Sequence, residues 1–314
     1  MAERQPSVTI LILNWNGRDD TVECLDSLAQ LQYHPLEIVL LDNGSTDDSV
    51  AFFRTHYPSV TVIDNGVNLG FSEGCNVGIR HALAAGADYV MLLNNDATLA
   101  PDALGRLVAA GEADERIGIL GPKTYHTGHG KRIYSTGFRV FPYRGYGQLI
   151  GFREMDRGQY DESCDRPALS GHAFLIKRRV IETLGGLDPD YFAYYEEIDF
   201  CLKARAAGFA CRYVADAVAW HKGQSAPAGL LRDYLLQRNQ LMFARKNARR
   251  HHLLIFLTYF VLYRAPKVIA LYVFRGRFAE LRIFLMAVLW HVGLFRRDNP
   301  VAAQSRLGKL GQRI

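Results

Sequence analysis

The first part of the chain contains short apolar runs and segments in which apolar residues recur with helical spacing. Short, mainly apolar runs, which predict strands of a buried sheet, occupy residues 8–13, 38–41, 60–63 and 89–93. Each run ends in a polar turn and precedes a segment with helical spacing, such as the face formed by Val22, Leu25 and Leu28. Four alternations of strand and helix predict an α/β fold with a doubly wound, mostly parallel sheet.

The pattern is less regular in the middle of the chain. Residues 122–168 are rich in Gly, Tyr, Arg and His and keep no long period, so we expect a substrate-facing excursion without clear elements. A strand over residues 169–176 follows. Further on, a strand pair over residues 210–214 and 217–220 is predicted to deliver His221 to a loop.

The second predicted strand ends at a carboxylate, Asp42. Open α/β sheets bind ligands beyond the carboxyl ends of their strands, so this position favours a functional role. We expect Ser45 or Thr46 to cap the following helix, with Asp47 and Asp48 in its first turn.

Charge is distributed unevenly along the 314 residues. The chain has 37 Lys and Arg and 32 Asp and Glu, and from residue 245 onward there are 14 basic residues but only Glu280 and Asp298. This leaves 23 basic and 30 acidic residues before position 245, hence a net charge of −7 there and +12 from residue 245 onward. Five cysteines without a Cys-x-x-Cys pair, and a start without the apolar core of a signal peptide, favour a reducing cytoplasmic location.

The basic tail, residues 249–314, contains three apolar runs flanked by Arg and Lys, at residues 253–263, 268–274 and 283–290. None reaches the roughly 20 residues of a spanning helix, and residues 264–267 interrupt the first two. We therefore predict helices that lie in the interface of a membrane, on its inner face and beside anionic lipid. The alternatives are a helical cap on the rest of the chain and a homodimer interface. No nucleic acid is expected, because no module that binds it is recognisable.

Carboxylate, amide and imidazole side chains follow several of the predicted strands. They are Asp42, Asn94, Asn95, Asp96, Glu196, Glu197, Asp199 and His221. Loops at the carboxyl ends of strands share one crevice in such sheets, so we expect one site. The glycine-rich dinucleotide loop and the Walker loop are both missing. A bound phosphate would therefore need another counter-charge, and a divalent cation held by Asp96 and His221 is the candidate.

Each of these residues also has an ordinary structural explanation. Asp96 alone fits a loop carboxylate that caps a backbone amide, and His221 alone fits a buried structural histidine. The acidic cluster around Glu197 fits a helix N-terminus, where carboxylates stabilise the helix dipole. The functional interpretation therefore depends on the whole set rather than on any single residue.

In order and spacing these motifs resemble the family 2 glycosyltransferases of the GT-A fold, especially rhamnosyltransferases of bacterial cell-surface polysaccharide assembly. The matching segments are residues 10–17, 41–49, 68–78, 92–96, 170–171, 185–203 and 221–225, with Tyr234 and Arg238-Asn239. The resemblance covers roughly residues 8–245. It implies a catalytic domain over residues 1–248, with a nucleotide-sugar half to about residue 121 and an acceptor half beyond it.

The resemblance also implies a role for each group of residues. The nucleotide-sugar donor would be bound by Asn14, Trp15, Asn16, Asp42, Asn43, Asn68, Gly70, Phe71, Asn76, Asn94 and Asn95. Asn94-x-Asp96 takes the place of the family's Asp-x-Asp signature, so Asp96, His221 and Asn94 would hold Mg²⁺ or Mn²⁺. Because the first Asp is Asn here, Asp96 would be the principal carboxylate ligand.

Glu197 falls where the family has its catalytic base, with Asp199 and Glu196 as alternatives. The implied reaction is a single displacement with inversion, from a donor such as dTDP-rhamnose to a hydroxyl of a lipid-linked or polysaccharide acceptor. Two other functions are weighed against it. They are a sugar-nucleotide nucleotidyltransferase, which would want a Gly-rich basic loop after the first strand, and an inactive membrane-surface binding protein of the same fold.

Overall fold

The computed structural model describes residues 4–223 and 229–293. Residues 224 and 225 of the last motif and the part of the tail beyond residue 293 lie outside the described residues. The described chain divides into two compact units. The first comprises residues 4–139, 148–189 and 196–223, and the second comprises residues 140–147, 190–195 and 229–293.

Twelve strands are assigned in the described residues. They are β1 Val8–Asn14, β2 Leu36–Asp42, β3 Thr61–Asp64, β4 Tyr89–Asn94, β5 Ala97–Leu99, β6 Ile117–His126, β7 Ile133–Ser135, β8 Phe138–Phe141, β9 Tyr146–Leu149, β10 Cys164–Asp165, β11 Ala173–Lys177 and β12 Ala210–His221. The α-helices in the same residues are α1 Arg18–Leu28, α2 Ser49–His56, α3 Gly70–Ala84, α4 Ala103–Glu112, α5 Arg178–Leu184, α6 Glu196–Ala206, α7 Leu230–Asn247, α8 Arg250–Tyr259, α9 Ala265–Phe274 and α10 Phe278–Trp290.

The main sheet of the first unit has the strand order β3-β2-β1-β4-β11-β6-β12-β10. Strands β1 to β4 are mutually parallel, as their continuous apolar sequences predict. Strand β11 runs antiparallel between β4 and β6, whereas β12 is parallel to β6. The predicted α/β fold with a mostly parallel sheet is confirmed.

An apolar core of this unit lies between the sheet and the helices α1 and α4. Ile10, Leu40 and Met91 point into it from the strands, and Leu25 and Leu104 from the helices. Each is almost fully buried, and burial of one such side chain contributes roughly 2 kcal/mol to folding. This packing fixes the strands whose carboxyl ends carry the polar residues.

Two predictions for the middle of the chain are wrong. The region 122–168 contains regular structure, because β6 continues to His126 and β7, β8, β9 and β10 follow. The predicted pair 210–214 and 217–220 is a single strand, β12, whose register against β6 shifts between Val214 and Val218. An irregularity of this kind interrupts the ladder without ending the strand, so the local sequence suggested two elements.

The predicted caps of the helix after β2 are also wrong. That helix, α2, begins at Ser49, and neither Ser45 nor Thr46 caps it. The Ser45 hydroxyl instead donates to Asp42 Oδ2 at 2.7 Å, and Thr46 donates its N–H to Asn16 Oδ1 at 2.8 Å. Both residues therefore belong to the loop network described below.

The second unit is built on helices α7 to α10 and has two small apolar clusters. The first contains Phe192, Tyr234, Leu235, Ile283 and Ala287. The second contains Leu241, Ala244, Phe256, Phe260 and Phe284. The apolar runs of the tail therefore bury part of their own surface within this unit.

The prediction that no tail segment is long enough to span a membrane is wrong. Helix α8, a π-helical turn over Phe260–Arg264 and helix α9 form one continuous helix, Arg250–Phe274. Its 25 residues are long and apolar enough to cross a membrane by length and composition. Pro266 lies just after the π-helical turn, where the regular hydrogen-bond ladder is already interrupted, so it does not end the helix.

Candidate active site

The loops after β1 and β2 meet at the carboxyl edge of the sheet. Asn14 and Asp42 end these strands and are partners in the parallel register. Asn14 Nδ2 donates to Asp42 Oδ2 at 2.8 Å, and Ser45 donates both its N–H and its hydroxyl to the same carboxylate. Asp42 is buried, and these three donors compensate for its lost hydration.

Asn16 and Trp15 lie in the turn after β1. Asn16 adopts a positive φ of 53°, which asparagine tolerates better than most residues, and its amide oxygen accepts from Thr46. Trp15, one of the residues predicted to bind the nucleotide, is 44% exposed, so its ring offers a large open surface. Gly44 has a φ of 73°, and a Cβ there would lie 2.6 Å from the Val67 backbone.

A second group of asparagines ties the loop after β3 to the loop after β2. Asn43 Nδ2 donates to Asn68 Oδ1 at 2.9 Å and to the Gly70 carbonyl at 3.2 Å. Its Oδ1 accepts the Leu69 N–H, while Asn68 Oδ1 also accepts the Gly70 N–H. Phe71 follows in the first turn of α3 and is half-buried. The side chains of Asn43 and Asn68 are therefore engaged within the chain.

Asn76 is placed differently from the other predicted nucleotide contacts. It is buried in α3, where its Oδ1 accepts the Leu187 N–H and its Nδ2 donates to the Leu187 carbonyl, both at 2.8 Å. These two bonds imitate a strand partner and hold the loop that follows α5. Gly186 is required beside it, because a Cβ there would lie 2.2 Å from Asn76 Oδ1.

A shallow depression opens beside the loop after β1, and helix α1 begins at its rim. It is lined by Asn16, Gly17, Arg18, Asp19, Asp20, Asp47 and Asp48. The carboxylates of these four Asp residues outnumber the single cationic side chain, that of Arg18, and together they would repel a diphosphate. A larger depression, lined by Arg4, Gln5, Ser7, His34, Pro35, Ala85 and Gly86, lies at the amino ends of the strands. We regard neither depression as a phosphate site. The depression beside α1 is acidic. The depression at the amino ends of the strands lies at the edge opposite to the one where such sheets bind ligands.

Strand β4 ends in Asn94, and Asp96 follows two residues later. His221, the last residue of β12, places its Nε2 2.9 Å from Asp96 Oδ1 and 3.3 Å from Asn94 Nδ2. Asp96 and His221 are both buried. The predicted ligand set is thus brought together from two strands that are far apart in sequence.

Asn95 points away from that pair, towards helix α1. Its Nδ2 donates to Thr21 Oγ1 at 3.1 Å and to the Gly17 carbonyl at 3.3 Å. Asn95 therefore joins the end of β4 to the turn after β1. The described residues contain no group of three or more His, Cys, Asp or Glu that could hold a metal ion.

Two aromatic residues beside His221 were not singled out from the sequence. The ring of His172 stacks on that of His221 with centroids 4.7 Å apart, and Tyr134 meets both rings edge-on. Burial first, and the neighbouring His221 second, lower the pKa of His172 well below its ordinary value, so its ring is neutral. The Ser170-Gly-His172 run before β11 was the available signal.

The acidic cluster forms the first turn of α6, as the helix-cap explanation also requires. Glu197 lies against Gly171, since a Cβ added at Gly171 would lie 3.2 Å from the Cβ of Glu197. Asp199 is buried and pairs with Lys203 Nζ at 2.7 Å, one helical turn on. Burial, and next the charge of Glu197, raise the pKa of Glu196 well above its ordinary value.

The sequence model of glycosyl transferase family 2 matches residues 9–185, more than half of the chain. The chain belongs to this family. It is therefore an enzyme that transfers sugars, and the predicted family is confirmed. The match begins in β1 and ends just after α5, so it includes Asp42 and Asp96 but not the acidic turn of α6.

Two curated relatives of this glycosyltransferase are themselves named as sugar transferases. The N-acetylglucosaminyl-diphospho-decaprenol L-rhamnosyltransferase of Mycobacterium tuberculosis is 28% identical over 219 residues, which are 64% of this chain and 71% of the relative. The low-salt glycan biosynthesis hexosyltransferase of Haloferax volcanii is 25% identical over 199 residues, 63% of this chain and 61% of that protein.

Solved structures share the fold of the glycosyltransferase. The mannosyltransferase PcManGT of Pyrobaculum calidifontis, in complex with GDP-Man and Mn²⁺, aligns with a TM-score of 0.57 and 17% identity over 99% of this chain and 82% of that chain. TarS of S. aureus, in complex with UDP-GlcNAc, aligns with a TM-score of 0.57 and 15% identity over 90% and 79%. At these identities the likeness concerns the fold, and it agrees with the expected GT-A class.

Proposed function

We propose that this glycosyltransferase moves a sugar from a nucleotide-sugar donor to an acceptor hydroxyl, with inversion at the anomeric carbon. One observation carries the proposal. The pair Asp96–His221 and the side chain of Glu197 flank the same short segment, Gly171-His172, since His172 stacks on His221 and Gly171 lies against Glu197. A pair that would hold a cation beside the diphosphate and a group that would accept a proton thus have a common neighbourhood.

In the proposed reaction Glu197 accepts the proton of the acceptor hydroxyl while the hydroxyl oxygen attacks the anomeric carbon. The new bond joins that oxygen to the anomeric carbon. The bond from the anomeric carbon to the diphosphate breaks, and the nucleoside diphosphate leaves with the electron pair. Inversion follows because attack and departure take place on opposite faces of the sugar.

The two alternative bases are less suited to this role. Asp199 is buried and tied to Lys203, so it is already neutralised by an ion pair. Glu196 has a raised pKa and keeps its proton at a pH where an ordinary carboxyl has lost it, so it cannot accept another. These contacts support Glu197 over its neighbours.

The residues beside β4 fit a hard divalent cation. Asp96 supplies a carboxylate, His221 an imidazole and Asn94 an amide, which suit Mg²⁺ or Mn²⁺. His221 Nδ1 is buried without a hydrogen-bond partner among the described residues, so the ring is not fully engaged by the protein. When bound, the cation would neutralise charge on the departing diphosphate.

The donor and the acceptor are proposed by class. The base and ribose would lie against Trp15 and the loops that end in Asp42 and Asn43, with the diphosphate directed towards Asp96. The rhamnosyltransferase relative is named for a diphospho-decaprenol acceptor, and the structural relatives hold GDP-Man or UDP-GlcNAc. We favour dTDP-rhamnose as the donor and a lipid-linked or glycan hydroxyl as the acceptor.

We also propose that the second unit contacts the inner face of a membrane. Large apolar side chains of the continuous helix Arg250–Phe274 are exposed, including Leu262 at 74% and Phe274 at 90%. Basic residues such as Arg249 and Arg250 lie at its start. An apolar face beside cationic side chains matches the interface of an anionic membrane.

The decisive experiment concerns Glu197. Glu197→Gln keeps the size and polarity of the side chain but cannot take a proton, so kcat should fall at least about 100-fold while donor affinity changes little. A screen of nucleotide-sugars for thermal stabilisation with Mn²⁺ first identifies the donor. Turnover and calorimetric binding are then measured for the variant.

Asp199→Asn is the matched control, because it removes a carboxylate from the same helical turn. Near-normal turnover of Glu197→Gln, together with loss in Asp199→Asn, would move the base to Asp199. Release of pyrophosphate instead of sugar transfer would point to a nucleotidyltransferase. Binding of a nucleotide-sugar without any turnover of the unmodified protein would indicate the inactive binding protein.

A further inference from the structure

His172 lies at the junction of the candidate site, directly before β11. Its carbonyl accepts the Asn94 N–H at 2.9 Å, so its main chain is fixed against the end of β4. Its ring is buried, and Gly171 beside it touches Glu197.

Both nitrogens of the His172 ring are occupied. Nδ1 is 2.7 Å from Ser170 Oγ, and Nε2 is 2.7 Å from Thr124 Oγ1. A hydroxyl can donate or accept, so the two partners satisfy a neutral imidazole in either tautomer. The ring therefore has no nitrogen left for a metal ion, and it cannot rotate without losing both bonds.

His221 lacks such an anchor. Metal-ligating histidines usually donate their second ring N–H to a carboxylate, a carbonyl or water, which orients the ring. Here Nε2 faces Asp96, and the buried Nδ1 has no hydrogen-bond partner among the residues that the structure describes. Apart from the contacts of Nε2 with Asp96 and Asn94, the orientation of the His221 ring then comes from packing.

That packing is supplied by two rings. His172 lies almost parallel to His221, with an interplanar angle of 19° and centroids 4.7 Å apart. Tyr134 closes another side, at 79° and 4.5 Å from His221. The His172 ring is held by a hydrogen bond on each nitrogen, so it is a fixed surface against which His221 rests.

We propose that His172 is a positioning residue, whose ring, pinned between Ser170 and Thr124, holds His221 in the orientation that directs Nε2 towards Asp96. The stack takes the place of the hydrogen bond that usually orients a metal-ligating histidine. This inference rests on the proposed function, because it assumes that Asp96 and His221 bind a divalent cation.

The test measures binding of Mn²⁺ by electron paramagnetic resonance, with UDP, GDP or dTDP present. Thr124→Val removes the partner of His172 Nε2 at almost constant volume and should weaken Mn²⁺ binding about tenfold, as loss of an orienting contact does. Thr124→Ser keeps a hydroxyl and should stay close to the unmodified protein. His172→Leu, which removes the flat ring, should weaken binding at least as much.

Thr9→Val is the control for loss of a buried threonine hydroxyl, because Thr9 is buried in β1 and bonded to Glu37 instead. Melting temperatures from circular dichroism identify variants that fail to fold. If Thr124→Val does not fold, Ser170→Ala tests the other nitrogen with the same expected loss. Unchanged Mn²⁺ affinity in a folded His172→Leu or Thr124→Val would overturn the inference.

The outcome separates this inference from the proposed function. Asp96→Ala should abolish Mn²⁺ binding whatever His172 does. If the unmodified protein binds no Mn²⁺ with any of the three nucleotides, the metal-dependent reaction and the positioning role both fail. If it binds Mn²⁺ and only the Asp96 variant loses it, the reaction stands and the role of His172 is wrong.

Discussion

Single residues show how burial changes chemistry that the sequence alone leaves open. Glu196 and Glu197 are adjacent acids of the same type, yet the structure gives them different surroundings. Glu196 is buried near Cys75, whose thiol pKa is raised first by burial and second by the charge of Glu196. Glu197 faces Gly171 instead. A helix periodicity places neighbouring residues on different faces, but only packing tells which face is dry.

The raised pKa of Glu196 predicts a pH-dependent stability. In the folded state this carboxyl keeps its proton above the unfolded pKa of about 4.3. In this pH range the folded protein therefore binds more protons than the unfolded chain. The contribution of Glu196 to the free energy of unfolding then falls as pH rises from about 4.3 to the folded pKa. Glu196→Gln should remove this decline and stabilise the protein at neutral pH, measured by urea denaturation between pH 4.5 and 8.

Glu162→Gln is the control for that experiment, since Glu162 is exposed on the same unit. It should leave the pH profile of the unmodified protein unchanged. A Glu196→Gln variant with the same pH slope as the Glu162 variant would show that Glu196 ionises normally.

At the scale of elements, helix α7 explains the motif Tyr234 with Arg238-Asn239. The segment Asp190–Tyr195 contains three bulky residues at positive φ, Phe192 at 64°, Tyr194 at 71° and Tyr195 at 78°. Such conformations cost energy and need support from their surroundings. Asn239 Nδ2 donates to the carbonyls of Tyr191, Ala193 and Tyr194, and Arg238 Nη2 to those of Asp190 and Tyr191.

Asn239→Ala should therefore destabilise the protein by roughly 3 kcal/mol. It removes a buried amide from three carbonyls, and each unsatisfied buried group costs about 1–3 kcal/mol. Chemical denaturation followed by circular dichroism measures the loss. Gln240→Ala, at the next position of α7, removes only a bond to the Arg144 carbonyl at the surface and should cost much less. Equal losses in the two variants would contradict a specific role for Asn239.

At the scale of the whole molecule, the proposed membrane contact rests on the charge asymmetry and the exposed apolar helix. Deletion of the tail is a poor test, because Phe256, Phe260 and Phe284 are buried in the second unit and their loss would unfold it. Leu262→Asp combined with Phe274→Asp instead alters exposed positions only. This variant should lose most of its co-sedimentation with phosphatidylglycerol vesicles at low salt.

Val67→Asp is the matched control, because Val67 is a 55% exposed apolar residue of the first unit. It should bind vesicles as the unmodified protein does. Equal vesicle binding by the double variant and the control would refute the membrane role. Extraction of the full-length protein by alkaline carbonate would distinguish a surface helix from a spanning one, since only the latter stays in the membrane.

The sequence by itself determined the α/β class, the four parallel strands and the residue types at their carboxyl ends. It could do so because apolar runs and turn residues act locally: the apolar run 38–41 predicts a strand by itself, and the strand ends at Asp42 where the polar turn begins. The family motifs extended this to named roles. Local pattern also misled, since the bulge in β12 and the helix through Pro266 each resembled a break.

Only the tertiary structure decided which of these polar residues are used by the chain itself. Asn43 and Asn76 are engaged by neighbouring loops, whereas Asp96 and His221, 125 positions apart, are in direct contact. The part played by His172 could not be predicted either, because its stacking partner comes from another strand. Burial and hydrogen-bond partners depend on segments remote in sequence, and no local pattern encodes which distant segment will supply them.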